Sequence, residues 1–128
     1  MDIKAFKMDG LGNDFVIIDN RQKITNLTKD QIIKICDRNF IGCDQLIFIE
    51  KDKTSDAHLK FFNSDGGESG ACGNGTRCVA DLISKEVKSK NIVLKRFSNF
   101  FFITTIIIGL ILHFKKTLGK VNLIFFLI

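Results

Sequence analysis

Phe62-Asn63-Ser64-Asp65-Gly66-Gly67-Glu68, followed three residues later by Cys72-Gly73-Asn74-Gly75-Thr76-Arg77, is the stretch on which the reading of this chain turns. Upstream, His58-Leu59-Lys60-Phe61-Phe62-Asn63 has the look of a long strand. Ser64-Asp65-Gly66-Gly67 is turn chemistry, because glycine supplies a positive φ at little cost. Downstream, Thr76 to Ser84 reads as a helix with Val79, Leu82 and Ile83 on one face. Cys72 therefore sits just ahead of a helix, where backbone N–H groups and the helix dipole favour a thiolate. Gly73 and Gly75 let the backbone approach a ligand, and the N–H groups of Gly73 and Asn74 would face an anion such as a carboxylate. On Cys-Gly-Asn-Gly alone, an ordinary turn with an inert thiol stands level with that reading. A phosphate-binding P-loop is excluded, since no Lys-Ser/Thr pair follows the second glycine.

Working outward, Ile3 to Lys7 alternates apolar and charged residues as a short half-buried strand, and Met8 to Asp14 reads as a glycine-bearing loop. Phe15-Val16-Ile17-Ile18-Asp19 is a buried strand ended by a turn at Asn20-Arg21. Thr28-Lys29-Asp30-Gln31 fits a capping box, with a helix running to about Asp37 and Ile32, Ile35 and Cys36 on its inner face. Gln45 to Glu50 and Asn91 to Leu94 are further strands. Gly10-Leu11-Gly12 is not a dinucleotide fingerprint, because position 15 is Phe and no βαβ unit is expected around it. The expectation is an α+β domain of mostly antiparallel strands around a central helix.

The net charge of +5 divides unevenly along the 128 residues. Residues 1–95 carry 15 basic and all 14 acidic side chains, so the body is nearly neutral and lacks the basic face that nucleic-acid binding needs. Residues 96–128 carry Arg96, Lys115, Lys116 and Lys120 with no acid, and Phe, Ile and Leu supply 19 of those 33 residues. The apolar run from Phe100 to Phe114 falls short of the roughly 20 residues a spanning helix needs. Three readings of this tail compete: a membrane anchor, a buried core segment, and a stretch from a reading-frame slip in an AT-rich gene. The third accounts best for runs of Phe, Ile, Leu, Lys and Asn beside 13 Phe, no Tyr, no Trp and no Pro in the whole chain. Two units follow, 1–95 as a folded lobe and 96–128 as a tail foreign to it.

No secretory signal opens the sequence, so a cytoplasmic protein with reduced thiols is expected. Cys36, Cys43, Cys72 and Cys78 are spaced wrongly for a zinc knuckle, and no metal is expected. Cys36 reads as a small core residue.

Taken together the motifs resemble those of the diaminopimelate epimerase family. That family opens with a Lys-Met-x-Gly-x-Gly-Asn-Asp-Phe run, here Lys7 to Phe15, and continues with Asp-Gln-Leu, here Asp44-Gln45-Leu46. It then carries Phe-Asn-x-Asp-Gly ahead of Cys-Gly-Asn-Gly-x-Arg-Cys, here Phe62 to Gly66 and Cys72 to Cys78. The resemblance covers residues 1 to about 95 and implies one lobe of a two-lobed fold. It implies cofactor-free, pyridoxal-independent interconversion of LL- and meso-diaminopimelate in lysine biosynthesis by two cysteines on opposite faces of the α-carbon. Inversion demands a base and an acid so placed. Cys72 matches one of them. Asn13, Gln45 and Asn63 match substrate-binding amides, and the Gly73–Asn74 backbone matches a carboxylate cradle. Asp14 and Asp44 would fix loops, Cys43 would be structural, and Cys78 would face the helix core. The family's second cysteine lies in its second lobe, so the resemblance implies a truncated enzyme, inactive alone. Its partners would be a small-molecule substrate and a second lobe or second copy, with membrane contact only if the tail inserts. The rival reading is a non-catalytic single-lobe binding or assembly module.

Overall fold

The computed structural model describes residues 3–89, 91–95 and 103–104. Strands β1 (Ala5–Gly10), β2 (Asn13–Asp19), β3 (Gln45–Glu50), β4 (Ala57–Asn63), β5 (Glu68–Ser69), β6 (Val93–Lys95) and β7 (Ile103–Thr104) form one sheet. Helix α1 (Lys29–Cys36) lies between β2 and β3, and α2 (Gly73–Val87) between β5 and β6. The order across the sheet is β1-β2-β3-β4-β6-β7, with β5 also pairing β4. The reading of residues 96–128 as a foreign tail lies, but for 103–104, outside the described residues. Among the described residues no helix is long and apolar enough to cross a membrane.

Among the described residues four of the six strand pairings are antiparallel, in keeping with the mostly antiparallel sheet expected; the correction is that two pairings are parallel and that two helices cover opposite faces of the sheet in place of one central helix. β2 runs parallel to β3 and β4 parallel to β6, while β1–β2, β3–β4, β4–β5 and β6–β7 are antiparallel. A parallel neighbour needs a crossover connection, and α1 and α2 provide one each. The unit β2–α1–β3 is thus a βαβ unit that was not expected. Gly10-Leu11-Gly12 lies just ahead of it, with Gly10 ending β1 and Leu11-Gly12 making the hairpin turn.

The helices take opposite faces because the central strands are apolar on both. Along β2, Phe15 and Ile17 turn to one side and Val16 and Ile18 to the other. The first side, with Ile47, Ile49, Leu59 and Phe61, packs against Cys78, Val79, Ala80 and Ile83 of α2. The second, with Leu46 and Phe48, packs against Ile32 and Cys36 of α1. The expected capping box holds: Thr28 N–H donates to Gln31 Oε1 at 2.8 Å and Gln31 N–H to Thr28 Oγ1 at 3.3 Å.

The segment Met8 to Asp14 is not the loop expected. β1 continues to Gly10 and β2 begins at Asn13, with Asp9 opposite Asp14 and Gly10 opposite Asn13. Only Leu11 (φ 58°) and Gly12 (φ 87°) form the turn. Positive φ at both central positions matches the right-handed twist of the flanking strands. Leu at the first of these positions disguises the turn in the sequence.

Candidate functional site

Asn13, Gln45 and Asn63 come from three adjacent strands and share one face. Register places Gln45 beside Phe15 on β2 and opposite Asn63 on β4. Each amide is an even number of residues from a core residue under α2: Asn13 from Phe15, Gln45 from Ile47, Asn63 from Phe61. The two-residue strand period therefore turns all three towards the side of the sheet that α2 covers. They stand at the same end of their strands, where β2 and β3 begin and β4 finishes.

The N-terminus of α2 lies over that end. Gly75 is its close point of contact, since a Cβ there would stand 2.7 Å from Ile47 Cδ1 and 3.1 Å from Phe61 Cε1. Gly10 is a second such point, where a Cβ would stand 2.9 Å from Cys78 Sγ and 3.0 Å from the Asn74 carbonyl oxygen. The helix begins at Gly73, three residues earlier than the sequence suggests, because Cys72 caps it in an extended conformation. Its Sγ accepts from Gly75 N–H at 3.5 Å, and its carbonyl accepts from Thr76 N–H at 2.9 Å and Thr76 Oγ1 at 2.8 Å. Gly73 and Asn74 are the first two helical residues, so their N–H groups have no carbonyl one turn back to bond.

Hydrogen bonds join these parts. Asn74 Nδ2 donates to Asn13 Oδ1 at 2.9 Å, which links helix to sheet, and Arg77 donates to Asn74 Oδ1 at 3.0 Å. Gln45 Nε2 donates to Asn63 Oδ1 at 2.8 Å and to Ser69 Oγ at 3.1 Å. Gln45 Oε1 is buried and has no partner among the described residues. An acceptor left so is costly unless something outside the chain donates to it. Cys72, Asn13, Gln45, Asn63, Gly73 and Asn74 are thus gathered at one end of the sheet, while Ser69 and Arg77 were not foreseen. Arg77 carries a signal in hindsight, three residues from Asn74 on one helix face. Ser69 carries none, because its two-residue strand is too short to read.

Asp14 and Asp44 form the frame behind the amides. Asp14 N–H donates to Asp44 Oδ2 and Asp44 N–H to Asp14 Oδ1, each at 3.0 Å. Asp44 Oδ2 also accepts from Asn13 Nδ2 at 3.2 Å. Arg38 spans both carboxylates, 2.6 Å from Asp14 and 2.7 Å from Asp44, and Lys7 reaches Asp14 and the Gly42 carbonyl. Arg38, then Lys7, hold the Asp14 carboxyl well below the usual carboxylate range against the opposing effect of burial. The other three cysteines are packed away. Cys36 and Cys43 are buried on the α1 side, and Cys78 is buried under α2, where burial, then Asp9, pushes its thiol up to about 11. Among the described residues no cluster of His, Cys, Asp or Glu suits a metal ion.

Comparison with known proteins bears on the family and the fold. Residues 5–99 match the family described as diaminopimelate epimerase. The diaminopimelate epimerase of Pelagibacter ubique (strain HTCC1062) is 76% identical over 94 residues, covering 73% of this chain and 34% of that protein. That of Gluconobacter oxydans (strain 621H) is 50% identical over 86 residues, 65% of this chain and 34% of the relative. The chain therefore spans about a third of the length of these curated relatives. Two solved structures share the fold at low identity. An Enterococcus faecalis phenazine biosynthesis protein of the PhzF family has a TM-score of 0.59 at 18% identity, covering 81% of this chain and 40% of its own. A methylitaconate-delta-isomerase has a TM-score of 0.61 at 14% identity, covering 81% of this chain and 58% of its own. The motifs, the lobe they build and the family match agree, and the chain belongs to the diaminopimelate epimerase family.

Proposed function

We propose that residues 3–95 form one half of a site for epimerising diaminopimelate at its α-carbon, with Cys72 moving the α-proton on one face. The observation that carries this reading is the meeting of three strand amides with a cysteine-capped helix N-terminus at one end of the sheet. The α-hydrogen is a very weak acid, so its removal needs charge stabilisation at the adjoining carboxylate. The Gly73 and Asn74 N–H groups supply it, helped by the positive end of the α2 dipole. Asn13 and Asn63 hold the polar groups of the substrate. Gln45 Oε1 is the acceptor for an N–H of the α-ammonium group, which relieves its lack of a partner.

Inversion also needs an acid on the opposite face. Cys36, Cys43 and Cys78 are buried, and residues 96–128 contain no cysteine, so that acid has to come from outside these 128 residues. A second lobe is the partner that fits. The chain by itself is expected to bind diaminopimelate without converting the LL form to meso in D₂O, and appreciable inversion would overturn the one-cysteine account.

The direct test is protection of Cys72. Iodoacetamide alkylation at that residue, followed by peptide mapping, should slow several-fold with diaminopimelate in the tens of millimolar and stay unchanged with 1,5-diaminopentane, which has no carboxylate for the helix N-terminus to hold. Equal rates under all three conditions, with a folded chain, would sink the assignment.

A further inference from the structure

Behind the site, on the opposite face of the sheet, two thiols touch. Cys36 is the last residue of α1 and Cys43 lies just ahead of β3, and their sulfurs are 3.2 Å apart. The backbone already holds the two ends together: Cys43 N–H donates to the Cys36 carbonyl at 3.1 Å and Gly42 N–H to the Ile35 carbonyl at 3.0 Å. Of the six residues between them, 37–41 are exposed and only Gly42 is buried, so the barrier to an oxidant is mostly a surface loop. A disulfide bond is about 2.05 Å long, so closure asks for a shift of only about 1.1 Å.

We propose that Cys36 and Cys43 are an oxidisable dithiol that a peroxide converts to an intrachain disulfide in the folded chain. One thiolate attacks the peroxide, so that an S–O bond forms, the O–O bond breaks and hydroxide leaves. The second thiolate attacks that sulfenic sulfur, so that the S–S bond forms and the S–O bond breaks. With the two thiol protons returned, two thiols and one hydrogen peroxide give one disulfide and two waters. Burial, then the neighbouring Cys43, pushes the Cys36 thiol up to about 12, so its thiolate is scarce, and closure is favoured by the contact between the two sulfurs and not by thiolate reactivity. Cys43 directly precedes Asp44, whose carboxylate accepts from Asn13 and Asp14, so closure pulls on the frame behind the amides.

The chain carries its own control, because Cys72 and Cys78 are spaced almost as Cys36 and Cys43 are. Trypsin separates all four, placing them in residues 35–38, 39–51, 61–77 and 78–85. Full-length protein would be treated with hydrogen peroxide, alkylated, digested without reductant and mapped by mass spectrometry, with a parallel sample in 8 M urea. The folded chain should give the 35–38/39–51 cross-link in at least about tenfold excess over the 61–77/78–85 one, reversibly with dithiothreitol. In urea the two should form to similar extents. Equal cross-linking in the folded chain would overturn the proposal. So would Cys36 and Cys43 both remaining alkylatable after a dose that consumes Cys72.

Discussion

Replacing Gln45 with leucine should separate binding from folding. Among the described residues Gln45 Nε2 makes two hydrogen bonds, to Asn63 and Ser69, while Oε1 is buried without one. A typical hydrogen bond contributes about 0.5–1.5 kcal/mol, so the substitution forfeits roughly 1–3 kcal/mol. Asn63 is exposed and can turn to water, which lowers that loss. Removing an unsatisfied buried acceptor returns roughly 1–3 kcal/mol, and leucine nearly preserves the volume. The two nearly cancel, so Gln45→Leu should change unfolding stability in urea by no more than about 1 kcal/mol. Protection of Cys72 by diaminopimelate should nonetheless disappear. A loss above about 2 kcal/mol would mean that Gln45 is structural and that its free oxygen has no binding role. Retained protection in a stable variant would refute its contact with substrate.

Leu11 adopts φ 58° in the β1–β2 turn and is half exposed, so Leu11→Asn should stabilise the chain by up to about 1 kcal/mol, measured in urea, because Asn tolerates the left-handed region. Gly10→Ala should cost about 1–3 kcal/mol and weaken protection of Cys72, since the new Cβ meets the Asn74 carbonyl, which cannot rotate away. A neutral effect would mean that α2 is not held so close. Because Asp14 has its folded pKa below the unfolded value of about 3.9, the unfolded chain binds more protons in acid. Its stabilising contribution is present above that value and is lost as pH falls further. Thermal melts between pH 5 and 3 should show a steeper fall for the wild type than for Arg38→Gln, with the difference shrinking in high salt because Arg38 is mostly exposed.

The elements of this fold were largely legible in the sequence, while their pairing was less so. Thr28 and Gln31 announced α1, and the run His58 to Asn63 announced β4. The parallel pairing of β2 and β3 was hinted at by the unbroken run Phe15-Val16-Ile17-Ile18, since parallel strands are covered on both faces. By itself that run specifies a buried strand and not its partner. The start of α2 is hidden in the sequence because cysteine is an unusual N-cap and Gly73 and Gly75 are poor helix formers. The site residues were named from motifs. What brings Asn13, Gln45 and Asn63 to one face is a register, which no single strand encodes. The Asp14–Asp44–Arg38 frame joins residues up to 30 apart and became visible only once the strands were paired.

The central claim is that diaminopimelate lies between the N-terminus of α2 and the three strand amides. The most direct measurement is a titration of the ¹⁵N-labelled chain with diaminopimelate, followed by ¹H–¹⁵N correlation spectra. The backbone signals of Gly73 and Asn74 and the side-chain amides of Asn13, Gln45 and Asn63 should shift together along one saturating curve. Signals from α1 and residues 37–41 should stay in place. Shifts confined to the α1 face, or no shifts at ligand concentrations that protect Cys72, would contradict it.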